Sequence, residues 1–268
     1  MVDLESILKQ YRSLNLGDVQ NFDRYSELLL VYSSSAMEGS TLTLNETEML
    51  IEESLTPKGR PLEHSMMIKD HYKALSHIIT QSKSIDRISV DTIKKIGSLV
   101  MNSTGREYSS PLGTVDSRLG DYRRSASRVD GGSFYVSPEK IEPMMFDLVT
   151  NINESINKIT STSDIMTLSS YAHLQLIIIH PFVDGNGRSA RLLQNLILQK
   201  HKLPLMIIRH EQKSDYISAI KMARNKEDIG YFKNFIENEY SYHLKLEVNR
   251  AQAMQKGKVK GLSFTIDL

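Results

Sequence analysis

Within twelve residues the chain brings together a histidine, a carboxylate, two glycines and two arginines, in the order His180-Pro181-Phe182-Val183-Asp184-Gly185-Asn186-Gly187-Arg188-Ser189-Ala190-Arg191. These types in this order suit the handling of a phosphate ester. A helix start gathers partial positive charge on backbone N–H groups that lack an intrahelical acceptor, and Gly185 and Gly187 would let an anion approach them closely. Arg188, Arg191 and Asn195 lie at i, i+3 and i+7, so both guanidinium groups are expected to reach one anion. Asp184 would repel a phosphate unless a cation lay between them, which points to Mg²⁺ as cofactor. A histidine at the rim could take a proton from an incoming hydroxyl, and its ordinary pKa leaves it neutral near about pH 7. The chemistry spelled out is transfer of a phosphate ester from a Mg²⁺–nucleotide.

The flanking sequence says what holds these groups. Ile165, Leu168, Ala172, Leu176 and Ile179 recur at helical spacing, so His180 falls where an apolar helix runs out. Leu192, Leu193, Leu196 and Ile197 resume the spacing, and a second helix begins near Arg188. Ser163 or Asp164 is the expected cap of the first of these helices. Phe182 reads as an apolar wedge beneath the loop. Asn186 suits either a phosphate oxygen or the fixing of the loop itself. His173, seven residues before His180, lacks the i, i+4 partner of a metal pair and reads as a core group.

Most of the remaining chain also reads as helix. Phe22, Tyr25, Leu29, Tyr32 and Ala36 form a stripe that Gly39 would end. Thr43-Leu44-Asn45-Glu46 is a capping-box pattern, and Pro57 should stop its helix near Leu55. Further helices are expected over about 62–80, 91–101, 138–159, 214–225 and 228–243, the third opened by Pro138 at its first position. Residues 102–136 break the pattern. Glycines cluster there, and Ser127-Arg128-Val129 and Ser133-Phe134-Tyr135-Val136 flank Asp130-Gly131-Gly132 as in a β-hairpin.

Composition bounds the rest. The 268 residues carry 33 Lys+Arg against 32 Asp+Glu, a formal net charge of +1, which disfavours nucleic acid or a membrane surface as partner. The basic end (Arg250, Lys256, Lys258, Lys260) reads as a solvated tail. No apolar run approaches the ~18 residues of a membrane span. The start, Met1-Val2-Asp3-Leu4-Glu5, has no basic or apolar leader segment, and there are no cysteines. Both fit a cytoplasmic location.

The string from His180 to Arg191 resembles the signature of the Fic family, HxFx(D/E)GNGRxxR, with every fixed position met. The similarity extends to Gly120-Asp121-Tyr122-Arg123, which is similar to that family's G-x-Y-R ahead of a flap, and to Ser34-Ser35-Ala36-Met37-Glu38-Gly39, which is similar to its (S/T)xxxE(G/N) inhibitory motif. It covers roughly residues 30–240. The resemblance implies an all-α Fic fold with a small β-hairpin flap. It divides the chain into a helical region over 1–100 that carries an inhibitory helix, a core over 101–243 and a tail over 244–268.

By the same resemblance the activity is protein adenylyltransfer, AMP moving from ATP to a Tyr, Thr or Ser hydroxyl of a protein target. His180 would be the base and Asp184 the Mg²⁺ ligand. Gly185, Asn186, Gly187, Arg188 and Arg191 would hold phosphate, with Asn195 and Tyr216 on the adenine side. Val129, Gly131 and Gly132 would line the target-binding flap. Ser34 and Glu38 would be inhibitory, Glu38 by pairing with Arg191. Three other readings stay open: removal of AMP, transfer of another phosphate-containing group, and an ATP-binding module without turnover. Gly187 argues against the kinase type, which has lysine there. ATP and a protein are the expected partners, and homo-oligomerisation is left open.

Overall fold

A computed structural model describes residues 4–14, 22–127 and 135–255. In chain order the helices are α1 (Leu4–Ser13), α2 (Phe22–Met37), α3 (Leu44–Glu52), α4 (Leu62–Ser82), α5 (Val90–Val100), α6 (Pro138–Ser155), α7 (Thr162–Ile179), α8 (Asn186–Lys200), α9 (Lys213–Lys226) and α10 (Gly230–Gln255). Among the described residues an antiparallel hairpin, β1 (Glu107–Ser110) and β2 (Gly113–Asp116), lies between α5 and α6, with Glu107 opposite Asp116 and Ser110 opposite Gly113. The mainly helical class expected from the periodicity is the one found.

Local chemistry sets several of the boundaries. At α3 the Thr43 N–H donates to Glu46 Oε2 (2.8 Å) and the Glu46 N–H donates to Thr43 Oγ1 (3.2 Å), the reciprocal box that the sequence spells. Pro138 opens α6 at a position whose N–H has no intrahelical acceptor. The cap of α7 is Ser161, whose hydroxyl accepts from the Asp164 N–H (3.1 Å), and not Ser163 or Asp164. Ser161 stands three residues ahead of a carboxylate that can return the bond, and its hydroxyl donates to Asp164 Oδ2 at 2.6 Å.

α8 is the axis of the fold. Every residue from Arg188 to Leu198 is buried, polar ones included. Its leucines meet α2, α4, α5, α6 and α7 in one core that includes Val31, Ile68, Ile78, Ile96, Met145 and Leu176. A second core joins α1, the start of α7, residues 203–208, α9 and α10 around Leu8, Met166, Met206, Phe232 and Tyr240.

One expectation is revised, and one element was not expected. α10 continues through residue 255, past the expected start of a tail at 244, because Leu244, Val248 and Ala251 keep an apolar stripe buried at i, i+4 and i+7. Arg250 lies over the Tyr25 ring, 4.0 Å from its centroid, and is held there. The described hairpin is the one at 107–116, where the short strands are polar and lack an apolar alternation. The turn at Pro111-Leu112 before Gly113 (φ 112°) is the local signal that marks it. Residues 128–134 of the expected flap, with Val129, Gly131 and Gly132, lie outside the described residues. At their flanks the Tyr135 N–H donates to the Ser127 carbonyl (2.9 Å).

Candidate active site

His180 closes α7 in the left-handed region (φ 51°, ψ 58°), its N–H still donating to the Leu176 carbonyl at 2.9 Å. That reversal turns the chain sharply into the loop before α8. The Asn186 amide donates to the Phe182 carbonyl (2.9 Å) and its Oδ1 accepts the Phe182 N–H (2.9 Å), which ties the loop across its mouth. Phe182 is the expected wedge, buried against Gly97, where an added Cβ would collide with its ring. Gly185 (φ 79°) makes the final turn into α8 with Val100 and Met101 close against it.

The side chain of Asn186 therefore fixes the loop. A comparable revision applies to Asn195. Its amide donates to the carbonyls of Arg191 (2.9 Å) and Met206 (3.0 Å), and its Oδ1 accepts the Met206 N–H at 2.7 Å. With these bonds made inside the core, Asn195 is a clip between α8 and the segment at 203–208 and is not among the residues that line the cavity. Tyr216 does line the cavity, while its hydroxyl is bonded to His173 (2.8 Å), which also bonds Gln194 (2.7 Å). Burial pushes the Tyr216 phenol up to about 12 and His173 down to about 3, so both are neutral packing partners at ordinary pH.

The two arginines diverge. Arg188 is 1 % exposed and points beneath the loop, where it donates to the Val100 carbonyl (3.2 Å) and lies against Met101 Sδ (3.3 Å). Its Nη2 is 3.9 Å from Asp184 Oδ1. It lends positive charge to the loop from below, and does not share the cavity wall with Arg191 as their spacing suggested. α8 is packed on all sides, so residues three apart meet different neighbouring helices.

Arg191 faces α2. Its Nε–H donates to Ser34 Oγ (2.7 Å), and its Nη2 donates to the Ser34 carbonyl (3.1 Å) and to Glu38 Oε1 (2.5 Å). The Glu38 carboxylate lies directly over Gly187, where a Cβ would collide with it. An anion thus stands at the start of α8, where the sequence predicts a phosphate, and it belongs to the chain itself. Burial works against the charge on Glu38, but the Arg191 guanidinium, with Arg188 and Lys213 behind it, holds its pKa below the usual carboxylate range.

Glu38, Gly187 and Arg191 line one cavity of about 340 Å³ with His180, Tyr135, Met37, Lys213, Tyr216, Ile217, Ile220 and Lys221. Four of its features escaped the sequence reading. The Tyr135 ring stacks on the His180 imidazole (centroids 3.8 Å apart, planes 11° apart). Lys213 donates to the Met37 carbonyl (2.6 Å) at the end of α2. Ile217 and Ile220 form an apolar wall on α9, and Lys221 adds a cation at its edge. Only helical spacing from Tyr216 could have pointed to the α9 residues. Burial, then the nearby Arg123 charge, pulls His180 down to about 4, against the opposing pull of the Ile177 carbonyl, Asp184 and Glu38. The imidazole is neutral near about pH 7, as a base must be.

Asp184 stands at the rim with its side chain 61 % exposed. No group of three or more His, Asp or Glu side chains converges on a metal position among the described residues. One open carboxylate beside a helix start fits Mg²⁺, which keeps several waters and takes its other oxygens from substrate phosphates.

Residues 87–198 match the model of the Fic/DOC family. The chain carries a Fic domain. It is 29 % identical over 80 % of its length to protein adenylyltransferase fic-1 of Caenorhabditis elegans, and 32 % identical over 77 % of its length to protein adenylyltransferase Fic of Drosophila melanogaster. It spans 39 % of each of these relatives. Its fold superposes on a Fic-domain signalling protein from Bacteroides thetaiotaomicron with a TM-score of 0.80 over 93 % of this chain and 97 % of that one, at 24 % identity. A Fic-1 fragment from C. elegans gives 0.74 over 92 % of this chain and 70 % of that one, at 26 % identity.

Proposed function

We propose that this Fic domain transfers AMP from Mg²⁺–ATP to a hydroxyl of a protein, and that Glu38 holds it off. The observation that carries the reading is that the His180 imidazole, Arg191 and Gly187 at the start of α8 line one cavity. The names of the relatives in worm and fly, both protein adenylyltransferases, support the same chemistry.

In this reaction His180 takes the proton of the target hydroxyl as its oxygen attacks the α-phosphorus of ATP. The bond from that phosphorus to the bridging oxygen breaks, and pyrophosphate leaves. The main-chain N–H groups at Asn186 and Gly187, together with Arg191, hold the phosphate oxygens on which charge collects. Arg188 raises the positive potential from beneath the loop. Asp184 would hold Mg²⁺, whose part is to neutralise charge on the phosphates. Met37, Ile217 and Ile220, with the ring of Tyr216, supply apolar surface for a base. Glu38 opposes all of this by occupying Arg191 and the space over Gly187.

Mass spectrometry of the protein incubated with ATP, Mg²⁺ and lysate tests the reading. A mass increase of one AMP on protein side chains, greater with Glu38→Gly and absent with His180→Ala, is the expected result. Retention of ATP with no transfer in either form would leave an ATP-binding module.

A further inference from the structure

Arg123 is 2 % exposed, yet every hydrogen bond that its guanidinium makes among the described residues goes to a main-chain carbonyl. A buried charge without a carboxylate is expensive to hold, so what it joins is informative. Nε donates to the His180 carbonyl (2.7 Å), and Nη2 also lies 3.4 Å from the Ile179 carbonyl. Nη1 donates to the Ser125 carbonyl (2.8 Å), and Nη2 to that of Val136. The Arg123 N–H adds a bond to the Pro181 carbonyl (2.8 Å). One planar fork therefore joins the turn at His180 to both flanks of residues 128–134, and it does so next to Tyr135, whose ring covers the imidazole.

We propose that Arg123 is a positioning residue for the transfer step: it holds His180 in its left-handed turn and keeps Tyr135 stacked on the imidazole, so that the base faces the cavity in one orientation. This rests on His180 being the base. Lysine at 123 would keep the charge but not the fork, since a single ammonium cannot reach carbonyls on three sides in one plane. Displacement of a catalytic group by about 1 Å can cost on the order of 10²-fold in rate.

The test uses Arg123→Lys in the Glu38→Gly background, with auto-modification by Mg²⁺–ATP as the assay. The expected result is a fall in kcat of about 10²-fold with the KM for ATP unchanged. In histidine-labelled protein, the His180 ring proton should lose the upfield shift that the Tyr135 ring imposes. A preserved kcat, a retained ring-current shift, or a rate that falls only in step with ATP binding and melting temperature would overturn the proposal. A measurement on the unsubstituted protein covers a variant that fails to fold: the Arg123 Nε–H should show scalar coupling across its hydrogen bond to the His180 carbonyl carbon. Absence of that coupling overturns the proposal. If Glu38→Gly shows no auto-modification, the adenylyltransfer reading fails by itself, while the two spectroscopic results still decide the role of Arg123.

Discussion

Replacing Glu38 by glycine should convert a closed nucleotide cavity into an open one without disturbing its other wall. Glu38 follows the last residue of α2, so glycine there interrupts no helix. Arg191 keeps both bonds to Ser34 (2.7 and 3.1 Å), so its guanidinium stays aimed at the start of α8 after the carboxylate is gone. The strength of the clamp follows from its burial. The Arg191 side chain is 5 % exposed and that of Glu38 33 %, so the pair stands between a surface salt bridge, worth about 0–1 kcal/mol, and a buried one, whose loss costs about 3–5 kcal/mol. Roughly 1–3 kcal/mol then opposes phosphate binding, which corresponds to about a 5- to 150-fold gain in productive ATP affinity on release. Calorimetric titration with Mg²⁺–ATP and labelling of the protein by its own activity should both rise in Glu38→Gly. Arg191→Ala should not mimic the gain, because it discards the phosphate ligand along with the clamp. The double variant should resemble Arg191→Ala, the non-additivity of two residues that share one contact. Unchanged ATP affinity and unchanged auto-modification in Glu38→Gly would refute the inhibitory role and leave the Glu38–Arg191 pair as a packing contact. Removal of AMP from a modified protein by the unsubstituted chain, lost in Glu38→Gly, would instead favour the reverse reaction.

His180→Ala in the Glu38→Gly background should cut transfer by at least ~10²–10⁴-fold while ATP still binds, and transfer near the parent rate would remove His180 from the mechanism. Its imidazole, followed by NMR, should titrate near about 4, far below the usual histidine range, and lower still in Glu38→Gly, where a carboxylate that favours the protonated ring is gone; a midpoint near ~6.5 would contradict the burial. The Glu38 pKa is depressed, so its ion pair is fully formed above the ordinary carboxylate range and is lost only as pH falls through the depressed value; acidification to about pH 5 should therefore leave the unsubstituted protein inhibited, and activation on that change would contradict the pairing. Asp184→Ala should weaken Mg²⁺-dependent ATP binding with little change in melting temperature, since the side chain is mostly exposed, and ATP affinity equal with and without Mg²⁺ in the Asp184 protein would argue against the assignment. Asn186→Ala should destabilise the fold by about 2–4 kcal/mol in denaturant titration, because two main-chain groups of Phe182 lose their buried partners; a loss below about 0.5 kcal/mol would contradict the loop-fixing role.

The helices were legible where the physics is local. The box at Thr43, the proline at 138 and the apolar stripes of α2 and α7 each depend on residues within a turn or two of one another. The hairpin at 107–116 was not, because Glu107-Tyr108-Ser109-Ser110 has no alternating apolar face and its place is set by the packing of the turn that follows against α5. Ser98 Oγ donates to the Arg118 carbonyl (2.7 Å) there, across twenty residues of sequence. The continuation of α10 beyond residue 243 depends on partners as remote as Tyr11 and Tyr25. A basic composition could not reveal that one of its cations was seated on a ring.

At the site, residue types were legible and their directions were not. Spacing places Arg188, Arg191 and Asn195 on one helical face, and that inference assumes a helix with a free side. α8 has none: with neighbours all round, each polar residue must find a partner on whichever helix it meets. Arg188 meets the carbonyl end of α5, Asn195 the main chain at Met206, and Arg191 the end of α2. Only the last of these partners, Glu38, carries a charge that a phosphate could replace. The same packing that withdraws Arg188 and Asn195 from the cavity is what makes Arg191 a single exchangeable contact. Under the proposed function, control by one carboxylate would follow from that geometry, because no second cavity-facing arginine on α8 remains to bind phosphate while Glu38 holds the first.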